Sequence, residues 1–258
     1  VMLRAGLPAD VIALLPGRGQ SVGAALVADP RVAGVAFTGS TEVAATIAQA
    51  LASRLPLVPL IAETGGLNAM IADSSALPEQ VAADALVSAF DSAGQRCSAL
   101  RVLCVQRDIA PRVVTLLQGA MDEISVGDPA DRATDVGPVI DRVAQSALER
   151  HVDAMRELGF VRHRTPLPAA CANGSFVAPT LVALDRLDRL AKEVFGPILH
   201  VVEWDAAGLD ALVDAINATG YGLTMGLHTR LDTRVEQVVQ RAHAGNLYVN
   251  RNIIGAVV

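Results

Sequence analysis

Two side chains of this 258-residue chain could carry covalent chemistry together. Cys97 stands in the polar stretch Gly94-Gln95-Arg96-Cys97-Ser98-Ala99, with an arginine beside it. Reactive cysteines sit in polar, electropositive, partly open surroundings, whereas structural ones prefer apolar surroundings. Taken alone, Cys97 reads first as a small core residue, as most lone cysteines do. Glu63, in Ala62-Glu63-Thr64-Gly65-Gly66, changes the odds. A sulfur nucleophile and a carboxylate base are the equipment for moving an acyl group to water. A base works best with a pKa near the working pH, so Glu63 is expected to be partly buried.

The elements that must position these residues follow from apolar spacing. A helix is expected from Pro78 to Ala93, with Ala82, Ala85, Leu86, Ala89, Phe90 and Ala93 on one stripe and Gly94 as its stop. The apolar run Val102 to Val105 reads as a buried strand. Upstream, strands are expected at Val11–Leu15, Val32–Phe37 and Leu57–Ala62, the last delivering Glu63 at its carboxyl end. Between them lie a helix over Gln20–Ala28 and another with Val43, Ile47, Ala50 and Leu51 on one face. Two crossover units of this kind predict an α/β fold with a parallel sheet.

Ligands of such sheets gather beyond the carboxyl ends of the strands, where Gly39, Ser40 and Glu63 fall. Ser40 at a helix start reads either as an ordinary cap or as part of a phosphate site. The glycines at 17, 19 and 23 miss the dinucleotide fingerprint by one position, which favours a plain tight turn.

Beyond Cys97, helices are expected at Pro111–Ile124 and Arg142–Leu158, the second with Val143, Ala147, Leu148, Val152 and Met155 inward. Gly127–Pro138 and Arg164–Asn173 read as loops. Strands at Ser175–Val182, Pro197–Glu203, Leu223–His228 and Asn246–Val249, with helices at Leu209–Asn217 and Thr233–Ala242, predict a second α/β domain. The expected domains are 1–66 and 67–258.

Composition narrows the field. More than half the residues are apolar and only 3% are aromatic, so the core must be Ala, Val and Leu. A net charge of −6 argues against non-specific nucleic-acid binding and against docking on acidic membranes. No stretch approaches the roughly 20 apolar residues of a membrane span, and the first residues lack a signal-peptide layout. Three cysteines fit a reducing compartment, and neither they nor the five histidines show metal-ligand spacing. A cytoplasmic protein without structural metal is the default expectation.

Seven segments, taken in order, resemble one family. They are Phe37-Thr38-Gly39-Ser40-Thr41, Glu63-Thr64-Gly65-Gly66, Gly94-Gln95-Arg96-Cys97, Gly127-Asp128-Pro129, Pro179-Thr180-Leu181, Glu193-Val194-Phe195-Gly196-Pro197 and Tyr221-Gly222-Leu223. In order and spacing they resemble the aldehyde dehydrogenase superfamily. Asn68-Ala69-Met70, the run Phe90 to Arg101, and Asn250-Arg251-Asn252 are most similar to one branch of it. That branch is the Δ1-pyrroline-5-carboxylate (glutamate semialdehyde) dehydrogenase domain of bifunctional proline utilisation A proteins.

The resemblance implies a partial Rossmann-type cofactor domain followed by an α/β catalytic domain. It implies Cys97 as nucleophile, Glu63 as the base that activates water, and Gly39 and Ser40 at the cofactor pyrophosphate. Glu193 would bind a ribose, Phe195 would lie near the nicotinamide, and Ser98 would help hold the substrate's carboxylate. The implied cofactor is NAD and the implied substrate a small aldehyde, with the Cys97 backbone N–H as one oxyanion donor. The family's fold has more chain at both ends, including its oligomerisation segments, so an internal piece of a longer polypeptide is expected, whose activity alone is in question. Two rivals stay open: the same chemistry on another semialdehyde, and a non-catalytic domain of this fold.

Overall fold

A computed structural model describes residues 1–256, which divide into two units, Val1–Gly65 and the remainder from Gly66. The division lies one residue from the expected boundary. Val257 and Val258, at the end of the expected second domain, lie outside the described residues.

The first unit contains α1 (Ala24–Ala28), β1 (Val35–Thr38), α2 (Thr41–Ala52) and β2 (Leu60–Glu63). The strands pair in parallel, from Val35 opposite Leu60 to Thr38 opposite Glu63. α2 begins where it does because Ser40 is extended and its Oγ accepts the Val43 N–H at 3.3 Å, satisfying one orphan amide of the first turn. Arg54 donates to the carbonyls of Val27 and Val32 at 3.1 and 3.0 Å and holds the α1 side of the unit to the end of α2.

Two expectations fail here. Val11–Leu15 is not a strand: Val11, Ile12, Leu14 and Leu15 are exposed, and the sheet has two strands and one crossover. An apolar run becomes a strand only where another strand takes its backbone groups, and among the described residues none pairs with this run. The buried face of α2 carries Ala44 and Leu51, while Val43 stays 47% exposed. Ala44, Ile47 and Leu51 share one helical face, and Val43 points about 100° away from Ala44.

The second unit is built on a seven-stranded sheet in the order β5-β6-β7-β4-β3-β8-β9. The strands are β3 (Ala69–Ala72), β4 (Val102–Gln106), β5 (Val161–Arg164), β6 (Thr180–Leu184), β7 (Ile198–Trp204), β8 (Thr224–His228) and β9 (Asn246–Val249). All neighbours are parallel except β5 and β6. Every residue of β3, β4 and β8 is buried, the unbroken pattern of strands covered on both faces. The helices are α3 (Pro78–Phe90), α4 (Ala110–Asp122), α5 (Arg142–Glu157), α6 (Leu209–Asn217) and α7 (Asp232–Arg241). α3 packs on α4 and α6 on α7.

β3 and β5 were absent from the expected elements, and the stretch 164–173 holds a short 3-10 turn, Ala169–Asn173, in which Cys171 is buried. On α5 the inward residues are Ala144, Leu148, Val152 and Met155. Val143 and Ala147 are exposed, because the helix presents a face turned about one position from the expected stripe. No helix of the described residues is long and apolar enough to cross a membrane.

Candidate active site

The helix before Cys97 ends earlier than its spacing suggests. α3 stops at Phe90, and Ser92, Ala93 and Gly94 then take left-handed backbone, with φ of 56°, 54° and 65°. A non-glycine residue there is strained by about 1–2 kcal/mol, so two such residues in succession need strong fixing. The Gln95 amide closes on the Ser92 carbonyl at 3.0 Å, and the Gln95 Oε1 accepts the Ile140 N–H at 2.8 Å. The turn then delivers Cys97 to the surface, exposed, with Ser98 buried beneath it.

Two buried polar side chains hold this turn. Asn68, at the entry to β3, donates from Nδ2 to the carbonyls of Cys97 (2.6 Å) and Ala99 (2.9 Å). Its Oδ1 accepts the Thr224 N–H at 3.2 Å, which ties the turn to β8. Arg101, at the foot of β4, has no exposed surface. It donates from Nη1 to the Gly94 carbonyl at 2.6 Å and from Nη2 to the Arg96 carbonyl at 3.1 Å. Nε and Nη2 both reach Glu193 Oε1, at 3.1 and 3.0 Å, and Nη1 reaches the Gly196 carbonyl at 3.4 Å. The guanidinium carbon also lies 5.0 Å from the centre of the Phe195 ring. Burial pushes the Arg101 pKa down, and the charges of Glu193 and of Cys97 push it back up.

The structure therefore gathers Cys97, Ser98, Glu193 and Phe195 around Arg101 in the second unit. Phe195 is 43% exposed, whereas the Glu193 side chain is mostly covered. In the first unit Gly39, Ser40 and Glu63 come together at the carboxyl end of the two-stranded sheet, where the Gly39 N–H donates to the Glu63 carbonyl at 3.1 Å. Glu63 is exposed rather than partly buried: it ends β2, whose last three residues, Ile61, Ala62 and Glu63, are all exposed. Ser98 donates its one hydroxyl proton to the Ile254 carbonyl at 2.6 Å.

Asn68 and Arg101 had no role assigned from sequence. The signal was an arginine directly before the apolar run Val102–Val105, where a charge is either a boundary or a buried, paired group.

Thiol accessibility separates the three cysteines. Cys104 is fully buried on β4, and burial pushes its thiol up to about 12, while Cys171 is buried with its sulfur 3.7 Å from the Val126 carbonyl. Brief iodoacetamide treatment of the native protein should therefore label Cys97 at least about tenfold faster than Cys104 or Cys171. Peptide mapping of the adducts checks this, and equal labelling would contradict an open nucleophile.

Behind Arg101 lies a second buried titratable group. His200 on β7 faces the Arg101 carbonyl with Nδ1 at 3.0 Å and His151 Nε2 with its own Nε2 at 2.9 Å. Nδ1 must donate to a carbonyl, so His151 supplies the proton of the second bond. Burial, and then the neighbouring His151, lower the His200 pKa to about 3, and burial lowers that of His151 as well. A histidine held neutral when folded takes a proton in the unfolded chain below about 6.5. Stability should thus fall between pH 6.5 and about 3, by up to about 1.4 kcal/mol per unit from His200. Comparing denaturant midpoints at pH 7.5 and 5 for the native protein and His200→Asn checks this; the variant should show the shallower dependence.

The left-handed turn, the exposed thiol and the arginine-held carboxylate lie together on a mainly parallel α/β sheet. The chain belongs to the aldehyde dehydrogenase family, whose model matches residues 1–258. It is 57% identical over 267 residues to the bifunctional protein PutA of Klebsiella aerogenes, covering all of this chain and 20% of that protein. It matches a crystal structure of bifunctional proline utilization A with TM-score 0.95 and 52% identity, over all of this chain and 26% of that one. A 1-pyrroline-5-carboxylate dehydrogenase from Thermus, solved with bound NAD, matches with TM-score 0.90 and 32% identity, over 99% of this chain and 50% of that one. The chain thus spans about one-fifth of the length of the PutA relatives.

Proposed function

We propose that the natural full-length protein oxidises glutamate semialdehyde to glutamate in proline catabolism, with NAD as hydride acceptor. The observation that carries this reading is the exposed Cys97 on a turn whose carbonyls are fixed by Asn68 and Arg101. The names of the relatives, PutA and 1-pyrroline-5-carboxylate dehydrogenase, support the substrate.

The chemistry follows from residue types. The Cys97 thiolate adds to the aldehyde carbon and forms a thiohemiacetal. Among the described residues no acceptor takes the Cys97 N–H, so it is free to donate to the developing oxyanion. Loss of the hydride leaves a thioester on Cys97. Glu63 takes a proton from water, the hydroxyl attacks the thioester carbon, and the thiolate departs as the acid is released.

The residues present fit NAD. Glu193 Oε1 accepts both bonds from Arg101, and among the described residues Oε2 accepts none, which leaves one carboxylate oxygen for ribose hydroxyls. Ser40 and the start of α2 offer a helix N-terminus for the pyrophosphate, and Phe195 an exposed ring for the nicotinamide. NAD, when bound, supplies the hydride acceptor. Free rather than paired cysteines support a cytoplasmic setting.

The test is NADH formation from glutamate semialdehyde by the full-length protein, beside other semialdehydes of similar length. Turnover of the others with none of this one would overturn the substrate assignment. The absence of turnover with any aldehyde would overturn the reaction.

A further inference from the structure

Arg101 does more than neutralise a buried carboxylate. A guanidinium has five N–H donors, and the five recorded contacts use all of them: one from Nε, two from Nη1 and two from Nη2. Three of the acceptors are main-chain carbonyls, and they belong to two different segments. Gly94 and Arg96 belong to the turn that carries Cys97. Gly196 belongs to the segment that carries Glu193 and Phe195. The side chain is the largest of the fully buried ones, and a charge without solvent persists only where every donor is matched.

We propose that Arg101 is the positioning residue of this site, joining the Cys97 turn and the Glu193–Gly196 segment into one frame so that binding at Glu193 sets the placement of the Cys97 sulfur. The inference rests on the reading of Cys97 as nucleophile and Glu193 as ribose ligand. Its physical basis is the fork geometry of the guanidinium. Lysine would keep the charge but offers three donors from a single nitrogen, which cannot span two carbonyls on one side and a carboxylate and a carbonyl on the other. Oε1 of Glu193 is oriented by Arg101, and that orientation leaves Oε2 as the oxygen available to a ligand.

The test is Arg101→Lys in the full-length protein, with kinetics normalised to active sites titrated by Cys97 alkylation. The expected result is a KM for NAD raised about tenfold or more together with a kcat per titrated Cys97 lowered about tenfold or more. A purely structural role would lower the melting temperature and leave both constants per titrated site unchanged, which would overturn the proposal. Hydrogen exchange in the unmodified protein provides a measurement independent of the variant's folding. NAD should slow exchange in residues 94–97 as well as in 193–196; slowing confined to 193–196 would overturn the coupling. Failure of the unmodified protein to reduce NAD with any aldehyde tested would overturn the functional reading and this inference together. Activity with glutamate semialdehyde but unchanged Arg101→Lys constants would overturn this inference alone.

Discussion

Glu63→Gln in the full-length protein should release about one equivalent of NADH per Cys97 and then turn over at least about a hundredfold more slowly than the unmodified protein. The two half-reactions ask for different groups. In the proposed mechanism thiolate addition and hydride loss use the sulfur and the N–H of Cys97, both in the turn 94–98. Hydrolysis needs a base for water, and glutamine cannot take the proton. Glu63, to which the proposed mechanism gives that duty, ends β2 opposite Thr38, beside the turn that holds Gly39 and Ser40. Stopped-flow absorbance of NADH separates the fast first turnover from the slow steady state. Loss of the burst along with the steady state would place Glu63 before hydride transfer, and an unchanged steady state would remove it from the mechanism.

A second large effect is expected at Gly94, this time on folding. Its φ is +65°, and a Cβ there would lie 2.2 Å from the Gly196 carbonyl oxygen and 2.9 Å from that of Ala89. Both obstacles are backbone, so neither can rotate away. The contact also adjoins the 2.6 Å bond from Arg101 to the Gly94 carbonyl, so any shift disturbs the frame of the site. Gly94→Ala should destabilise the protein by about 3 kcal/mol or more. Gly159 is the comparison: its φ is +73°, but nothing lies within 4 Å of an added Cβ, so Gly159→Ala should cost only the backbone penalty of about 1 kcal/mol. Denaturant midpoints of the two variants measure the difference, and equal losses would show that the approach of Gly196 does not matter.

Much of the second unit could be read from spacing alone. Helix Leu209–Asn217 and strand Asn246–Val249 lie where their apolar residues place them: the helix buries Leu209, Leu212, Val213 and Ile216 on one face, and the half-buried strand pairs with β8 at the edge of the sheet. The central strand β3 could not be read so: Ala-Met-Ile-Ala is short, alanine-rich and without alternation, and becomes a strand because β4 and β8 take its backbone on both sides. β5, Val-Arg-His-Arg, has the composition of a loop and pairs only as an antiparallel edge. At the site, Cys97 is singled out from sequence only together with Glu63, and Glu193 only through resemblance; the structure exposes the first and pairs the second with Arg101. Arg101 was not, since an arginine by itself reads as solvated, and its burial depends on a carboxylate 92 residues further along the chain. The left-handed turn at Ser92 and Ala93 was also hidden, because neither residue type favours that backbone and only tertiary contacts impose it.

The account stands on a covalent acyl group carried by the sulfur of residue 97. Mass analysis of Glu63→Gln, quenched in acid after one turnover with glutamate semialdehyde and NAD, reads this directly. The peptide containing Cys97 should carry a hydroxylamine-sensitive glutamyl group, with Cys104 and Cys171 unmodified. NADH formed in equal amount with no adduct on Cys97, or with the adduct on another residue, would contradict the thioester route.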